Sequence, residues 1–315
     1  MANVADGVTN LADANATFVS DAGKIFGEVD TNGLWQQMTN QVPTDGQSME
    51  LVLTDDLSTV NLWTAGESKS YQGSRAYKVR YEMEVYDASK QLARKEVDYD
   101  KSGSVSMQLT QFLQRNASFM NKVVMDKFLT QPVGYDGVAL ISASHPNGVA
   151  GATQSNLTAS ALSHTTYNAG IAAMQLLQKE NEEYFDFRPT ALVVPPGLER
   201  TAKEIAVSES RVFPFDNTGV EAAVAVVGAV TIPNVMNGLQ VFIDKRMTAG
   251  DWIMLDLSVP GIRPWYASIP RGPEAITATE MTSDARMDLD MYRWSIEADV
   301  IQGPGHWQCI YGKLT

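Results

Sequence analysis

The spacing of apolar residues changes several times along this chain, and each change predicts a different kind of element. Through residues 1–45 only scattered anchors, Phe18, Ile25, Phe26, Leu34 and Trp35, interrupt a stretch rich in Asn, Asp, Ala, Thr and Gly. Short helical pieces of that kind are marginal alone, which predicts an arm lying on something else, such as a neighbouring copy. Over residues 48–87 the pattern alternates, as in Met49-Glu50-Leu51-Val52-Leu53 and Tyr77-Lys78-Val79-Arg80-Tyr81-Glu82-Met83-Glu84-Val85-Tyr86. Period two predicts strands with one packed and one wet face. The small, polar, glycine-bearing stretch 64–74 between them suits the tip of a long hairpin. A lone two-stranded hairpin is marginal in water, so it either lies on another chain or folds back onto its own domain.

After Ser102-Gly103-Ser104 the spacing becomes three and four, with Val105, Leu109, Phe112, Leu113, Phe119, Met120, Val123, Val124, Phe128 and Leu129 on one stripe. This predicts a single amphipathic helix, serine-capped and ended near Leu129 by Gln131-Pro132 and Gly134. Such a rod of about 25 residues would be nearly 40 Å long. The second half mixes both periods. Ser163 is placed to cap a helix carrying Tyr167, Ile171, Met174 and Leu177, and a short strand, Ala191-Leu192-Val193-Val194, stops at Pro195-Pro196. Residues 197–208 read as helix, 222–230 as an apolar run, and 239–243, 252–257, 262–267 and 291–301 as strands. Gly303-Pro304-Gly305 reads as a turn before a last strand, Trp307-Gln308-Cys309-Ile310-Tyr311, and late strands are expected to pair with early ones. The fold class that follows is α+β, with one large or two intertwined domains.

Composition narrows the partners. Among 315 residues, 24 Lys and Arg face 37 Asp and Glu, a formal net charge of −13. Binding nucleic acid takes cations that displace counterions from phosphates, so specific DNA recognition is disfavoured. No apolar run approaches the roughly 20 residues that span a bilayer, and Met1-Ala2-Asn3-Val4-Ala5-Asp6 lacks the basic and apolar regions of a secretory leader, so residence in a cytoplasm is expected. The single cysteine, Cys309, rules out an intrachain disulfide.

Candidate chemistry is thin. Asp98-Tyr99-Asp100-Lys101-Ser102-Gly103 imitates the first half of a calcium-binding EF-hand loop, but the twelfth position is Leu109, where the loop needs a bidentate Glu. His306 and Cys309 offer a nitrogen and a sulfur without two further ligands at motif spacing. As a nucleophile pair in a strand they would stand roughly 10 Å apart. Ser142, Ser144 and His145 are too close in sequence for a triad of their own, and His145-Pro146-Asn147-Gly148 suits a rigid turn. Walker, Rossmann, G-x-S-x-G and H-E-x-x-H patterns are absent. Asp284, Asp288 and Asp290 with Arg286 and Arg293 read as surface or interface charge. No catalytic, cofactor-binding or metal-ligating residue is assigned, and no enzyme activity is expected.

One ordered signature remains: Asp136-Gly137-Val138-Ala139-Leu140, Ser144-His145-Pro146-Asn147-Gly148 and Arg188-Pro189-Thr190-Ala191-Leu192-Val193-Val194-Pro195-Pro196. Its order of turn, polar loop, helix and buried strand resembles the major head subunit of Mu-like tailed bacteriophages, a family sharing the HK97 capsid fold. The resemblance implies an N-terminal arm (1–45), an extended hairpin loop (46–100), a peripheral domain with a long spine helix (101–134 and 258–315) and an axial domain (135–257). It also implies a subunit that closes into pentamers and hexamers of an icosahedral shell around dsDNA, assembled in a bacterial cytoplasm, with portal, scaffolding and cement or decoration proteins as partners. No cofactor and no membrane enter. A lysine–asparagine cross-link of the kind some relatives carry has no assignable positions, Lys69 at the loop tip notwithstanding.

Residues expected to touch neighbouring subunits are Leu51, Val60, Trp63, Tyr71, Tyr81 and Tyr86 in the extended loop and Phe18, Phe26 and Trp35 in the arm. They are apolar or aromatic side chains in segments with little core of their own. An encapsulin-like compartment shell is the alternative within the fold, and a soluble hydrolase using His145 or His306 the alternative outside it.

Overall fold

The computed structural model describes residues 4–27, 33–44, 46–56, 74–146, 152–179, 183–208, 210–215, 228–233, 238–280, 283 and 289–315. Two sheets organise it. The larger has the order β1-β11-β12-β3-β2, built from β1 (Thr39–Gln41), β2 (Ser48–Asp56), β3 (Ser74–Ala93), β11 (Trp265–Ala278) and β12 (Met291–Pro304). The smaller has the order β13-β10-β6-β9, from β6 (Ala191–Val194), β9 (Gln240–Ile243), β10 (Trp252–Leu255) and β13 (Ile310–Lys313). Two ribbons, β4 (His145–Pro146) with β5 (Thr153–Gln154) and β7 (Ser210–Phe215) with β8 (Gly228–Pro233), stand apart from the sheets. The expected α+β class follows.

The alternation over 74–93 builds one uninterrupted strand that serves two partners. Its first half pairs with β2, from Ser74 opposite Asp56 to Glu82 opposite Ser48, and its second half with β12, from Met83 opposite Ile301 to Ala93 opposite Met291. The hairpin is therefore not the free two-stranded ribbon that the pattern alone allows. Tyr292, Trp294, Ile296, Ala298 and Val300 alternate to one face of β12 and are all buried against the helices. Such alternation with one dry face is the stable arrangement for an antiparallel sheet covered on one side.

The helices differ from expectation in two places. The rod divides into α4 (Ser104–Arg115) and α5 (Phe119–Leu129). Asn116 closes the first piece by donating its side-chain amide to the Phe112 carbonyl at 2.8 Å, and its own carbonyl accepts from the Phe119 N–H at 2.9 Å. Asparagine competes in this way with the helical ladder, so the stripe continues while the backbone breaks. The cap also moves. Gly103 stands at the N-cap with φ 71°, and the carboxylate of Asp100 takes the Val105 N–H at 2.8 Å and the Ser102 N–H at 2.9 Å. Those amides, Val105 first, pull the Asp100 carboxyl down to about 2. The calcium-like start of this loop is thus a helix cap. The Ser163 cap holds, with a reciprocal pair of bonds to Thr166 at the start of α6 (His164–Gln175).

The arm is docked on its own chain. Helix α1 (Val4–Gly27) packs on α4, on α3 (Arg94–Asp98) and on β11. Asn15 fastens it, donating to Thr279 Oγ1 at 2.8 Å and accepting from the Trp294 indole at 2.9 Å. Next come α2 (Leu34–Met38) and β1, which pairs parallel to β11. At the other end the chain crosses over. Residues 307–309 form a 3-10 turn rather than a strand, Gly303 and Pro304 continue β12, and β13 becomes the edge of the smaller sheet. Within 258–315, then, β11 and β12 belong to the larger sheet and β13 to the smaller. The close approach depends on Gly312, where a Cβ would lie 2.3 Å from the Trp252 carbonyl oxygen. The main core then runs continuously from α1, α4 and α5 through Trp265 and Trp294 to Leu192, Met254 and Ile310.

Candidate assembly surface

The stem of the hairpin carries its own small core. Met49, Leu51 and Leu53 alternate to the buried face of β2 and pack with Tyr266, Ile301, Tyr77, Val79, Tyr81, Met83 and Tyr135. On the opposite face Val52 is 60% exposed beside the ion pair of Lys78 with Glu50 at 2.7 Å. An exposed pair of this kind contributes more to orientation than to stability.

Several expected contact residues are satisfied within the chain. Phe18 is 1% exposed and stacks on Phe112 with ring centroids 6.3 Å apart, and Trp35 is buried in the same core. Leu51 lies in the stem core. Tyr81 covers Gly303, where an added Cβ would meet its ring, and donates its hydroxyl to the Pro304 carbonyl at 2.6 Å. Tyr86 hydrogen-bonds Glu84, accepts from Gln302 at 3.2 Å, and is pushed up to about 12 by burial first and by the Glu84 bond second. The cover comes from within the chain, from α4 for Phe18, from β11 and β12 for Leu51, and from the end of β12 for Tyr81 and Tyr86. Phe26 is half-buried and lines an open cleft of about 770 Å³ with Ile25, Met120, Phe242 and Ile269. Val60, Trp63, Tyr71 and Lys69 lie outside the described residues, as do Asn147, Gly148, Asp284, Arg286 and Asp288. Asp290 pairs with Arg94 at 2.7 Å, joining the start of β12 to α3.

Sequence reasoning missed the cleft and the exposed apolar residues Val52 and Val85, the latter 61% exposed on β3. For Val52 the signal was present, since it is a β-branched residue whose neighbours two positions away, Glu50 and Thr54, are polar.

The histidines sit where no nucleophile is activated. His145 is fully buried, with Nδ1 2.6 Å from Asp136 Oδ2 and Nε2 3.1 Å from Asn156 Oδ1. The expected rigid turn thus starts from a buried side chain. His306 is 8% exposed, and burial lowers it to about 4. The 3-10 turn brings Cys309 Sγ to donate to the His306 carbonyl at 2.8 Å, and burial first of all pushes the thiol up. A thiol so raised is the wrong form for attack. Among the described residues no cluster of three His, Cys, Asp or Glu is placed to hold a metal ion, and no helix is long and apolar enough to cross a membrane.

No curated protein sequence matches this chain. The solved structure titled Microbacterium phage Oxtober96 shares the fold with a TM-score of 0.55 and 11% identity, over 89% of this chain and 90% of its own. Those titled Mycobacterium phage Adephagia and Mycobacterium phage Patience score 0.52 and 0.51, at 11% and 12% identity. They match 89% and 95% of this chain and 89% and 87% of their own. The fold is the HK97 type of phage shells. The description "Phage capsid protein" matches residues 76–311, from the start of the hairpin strand β3 into β13. That span takes in most of the chain, with β11, β12, β6, β9 and β10 whole, so the chain belongs to the family of phage capsid proteins and is a structural shell subunit.

Proposed function

We propose that this chain is the major head subunit of a tailed bacteriophage of the Mu-like type, closing through pentamers and hexamers into an icosahedral shell around dsDNA. The family match across residues 76–311 carries the reading, because it takes in strands of both sheets and nearly all of β3, the strand that joins the larger sheet to the hairpin. On this reading the larger sheet with α4 and α5 is the peripheral domain and the smaller sheet the axial domain. Dissimilar faces of identical chains meet around rotation axes, the heterologous contact that closes rings. Val60, Trp63 and Tyr71 in the loop beyond the hairpin stem, and Phe26 at the cleft, supply contact to neighbours. The wall encloses DNA without reading its sequence, which the net charge of −13 supports. Portal, scaffolding and cement or decoration proteins complete the head, and assembly takes place in the host cytoplasm.

Negative-stain microscopy of the purified protein, raised in concentration with and without a co-expressed scaffolding protein, tests the reading. Closed particles, rings or tubes are expected. A sedimentation profile that stays monomeric under all those conditions would refute it.

A further inference from the structure

Asp136 and His145, both polar residues of the sequence signature, are held in a site whose hydrogen bonds fix their protonation. Asn156 is fully buried and decides it. Its Oδ1 accepts from the Ser142 N–H at 2.7 Å, and its Nδ2 donates to the carbonyls of Leu140 at 2.9 Å and Trp307 at 3.2 Å. Exchanging the amide oxygen and nitrogen would set a donor against a donor once and an oxygen against a carbonyl twice, so the assignment is forced. Oδ1 therefore faces His145 Nε2 at 3.1 Å as an acceptor, and Nε2 carries a proton. A neutral imidazole would then have a bare Nδ1, yet Nδ1 stands 2.6 Å from Asp136 Oδ2. Two acceptors do not approach that closely, so a proton lies between them as well.

Two observations place that proton on the ring. Asp136 Oδ1 accepts the Val138 N–H at 3.2 Å, so backbone amide support reaches the carboxylate. The imidazole lies parallel to the Trp307 ring, 3.9 Å between centroids and 6° between planes, and an indole face attracts positive charge. We infer that His145 is a buried imidazolium paired with the Asp136 carboxylate, a proton-binding site that straps residues 136–146 to Trp307 at the approach to β13. A neutral His–Asp contact would tie the same segments without carrying charge. Breaking one half of a charged pair leaves the other unsatisfied, whereas removing both charges relieves it.

The chain has three histidines, so the ring nitrogens can be read one by one. Nitrogen-15 spectra at neutral pH, in solution or by magic-angle spinning on assembled protein, are expected to show both His145 nitrogens protonated and exchanging slowly. His306, lowered to about 4 by burial, supplies the neutral reference. A His145 spectrum with one bare ring nitrogen overturns the inference. In parallel, His145→Gln is expected to lower the melting temperature more than the double variant His145→Gln with Asp136→Asn. A double variant that falls by the sum of the two singles or more overturns it too, and if a single variant fails to fold, the wild-type spectrum decides.

Discussion

Acid should weaken this fold through His306, and the size of the effect follows from its surroundings. The ring is 8% exposed, packed edgewise on Tyr135 at 6.0 Å and tilted against Tyr266 at 6.2 Å, and burial lowers it from 6.5 to about 4. The unfolded chain then binds a proton that the folded chain refuses between those two values, so stability falls as the pH drops through 6.5 towards 4. Each pH unit that separates the folded and unfolded titration midpoints is worth about 1.4 kcal/mol, which gives about 2 kcal/mol lost between pH 7 and pH 5 and about 3 kcal/mol by pH 3. Carboxylates titrate in the same range, so the comparison must be with His306→Gln, which keeps polarity without titrating. Denaturant unfolding of both proteins at one low concentration, where assembly contributes equally, measures the difference. The wild type should lose about 2 kcal/mol more than the variant over that interval. Parallel curves from pH 7 to pH 5 would refute this reasoning.

Gly312→Ala should destabilise by about 2 kcal/mol or more, because the new Cβ would stand 2.3 Å from the Trp252 carbonyl oxygen, where backbone must move. Gly272→Ala, with nothing within 4 Å of the added carbon, should stay within about 0.5 kcal/mol, and thermal melts of the two separate packing from composition. Asp100→Ala removes the carboxylate that accepts from Val105 and Ser102, and should cost about 1 kcal/mol at pH 7. Since that carboxyl is pulled down to about 2, its contribution should vanish as the pH falls from 3.8 to 2, with wild type and variant converging in melting temperature. Trp63→Ala with Tyr71→Ala should cut particle yield severalfold by microscopy while the subunit's melting temperature holds. A large drop in melting temperature would place these residues in the subunit's own core.

Most elements could be read from period alone, but their partners could not. Alternation identifies a strand and its two faces, and the 20 residues of β3 follow it throughout, yet nothing in 83–93 says that these residues leave β2 for β12. Phe18 and Trp35 show the same limit. An apolar residue in a polar arm needs cover, and sequence shows the need without showing that α4, β11 and β12 lie near enough to meet it. The break at Asn116 left a hint, since asparagine disfavours helix interiors, but the apolar stripe crosses it without a change of phase. His145 was legible as a turn residue and illegible as a buried one, because its partner Asn156 carries no pattern of its own and Trp307 is 162 positions away.

The continuity of β3 has a mechanical consequence for a shell subunit. A hairpin of two strands is marginal in water, and one that reaches towards neighbours would fray at its base if its hydrogen bonds ended with its partner. Here the bonds do not end. Met83 passes from the register of β2 to that of β12 without a bulge in β3, and Tyr81 and Tyr86, on either side of the junction, are each tied by a hydroxyl bond to the last residues of β12. Pulling on the stem therefore loads the five-stranded sheet as a whole, and through Gln302, which also donates to the Val123 carbonyl, it loads α5. Tyr81 and Tyr86 are thus part of the joint that ties the stem to the core of its own chain.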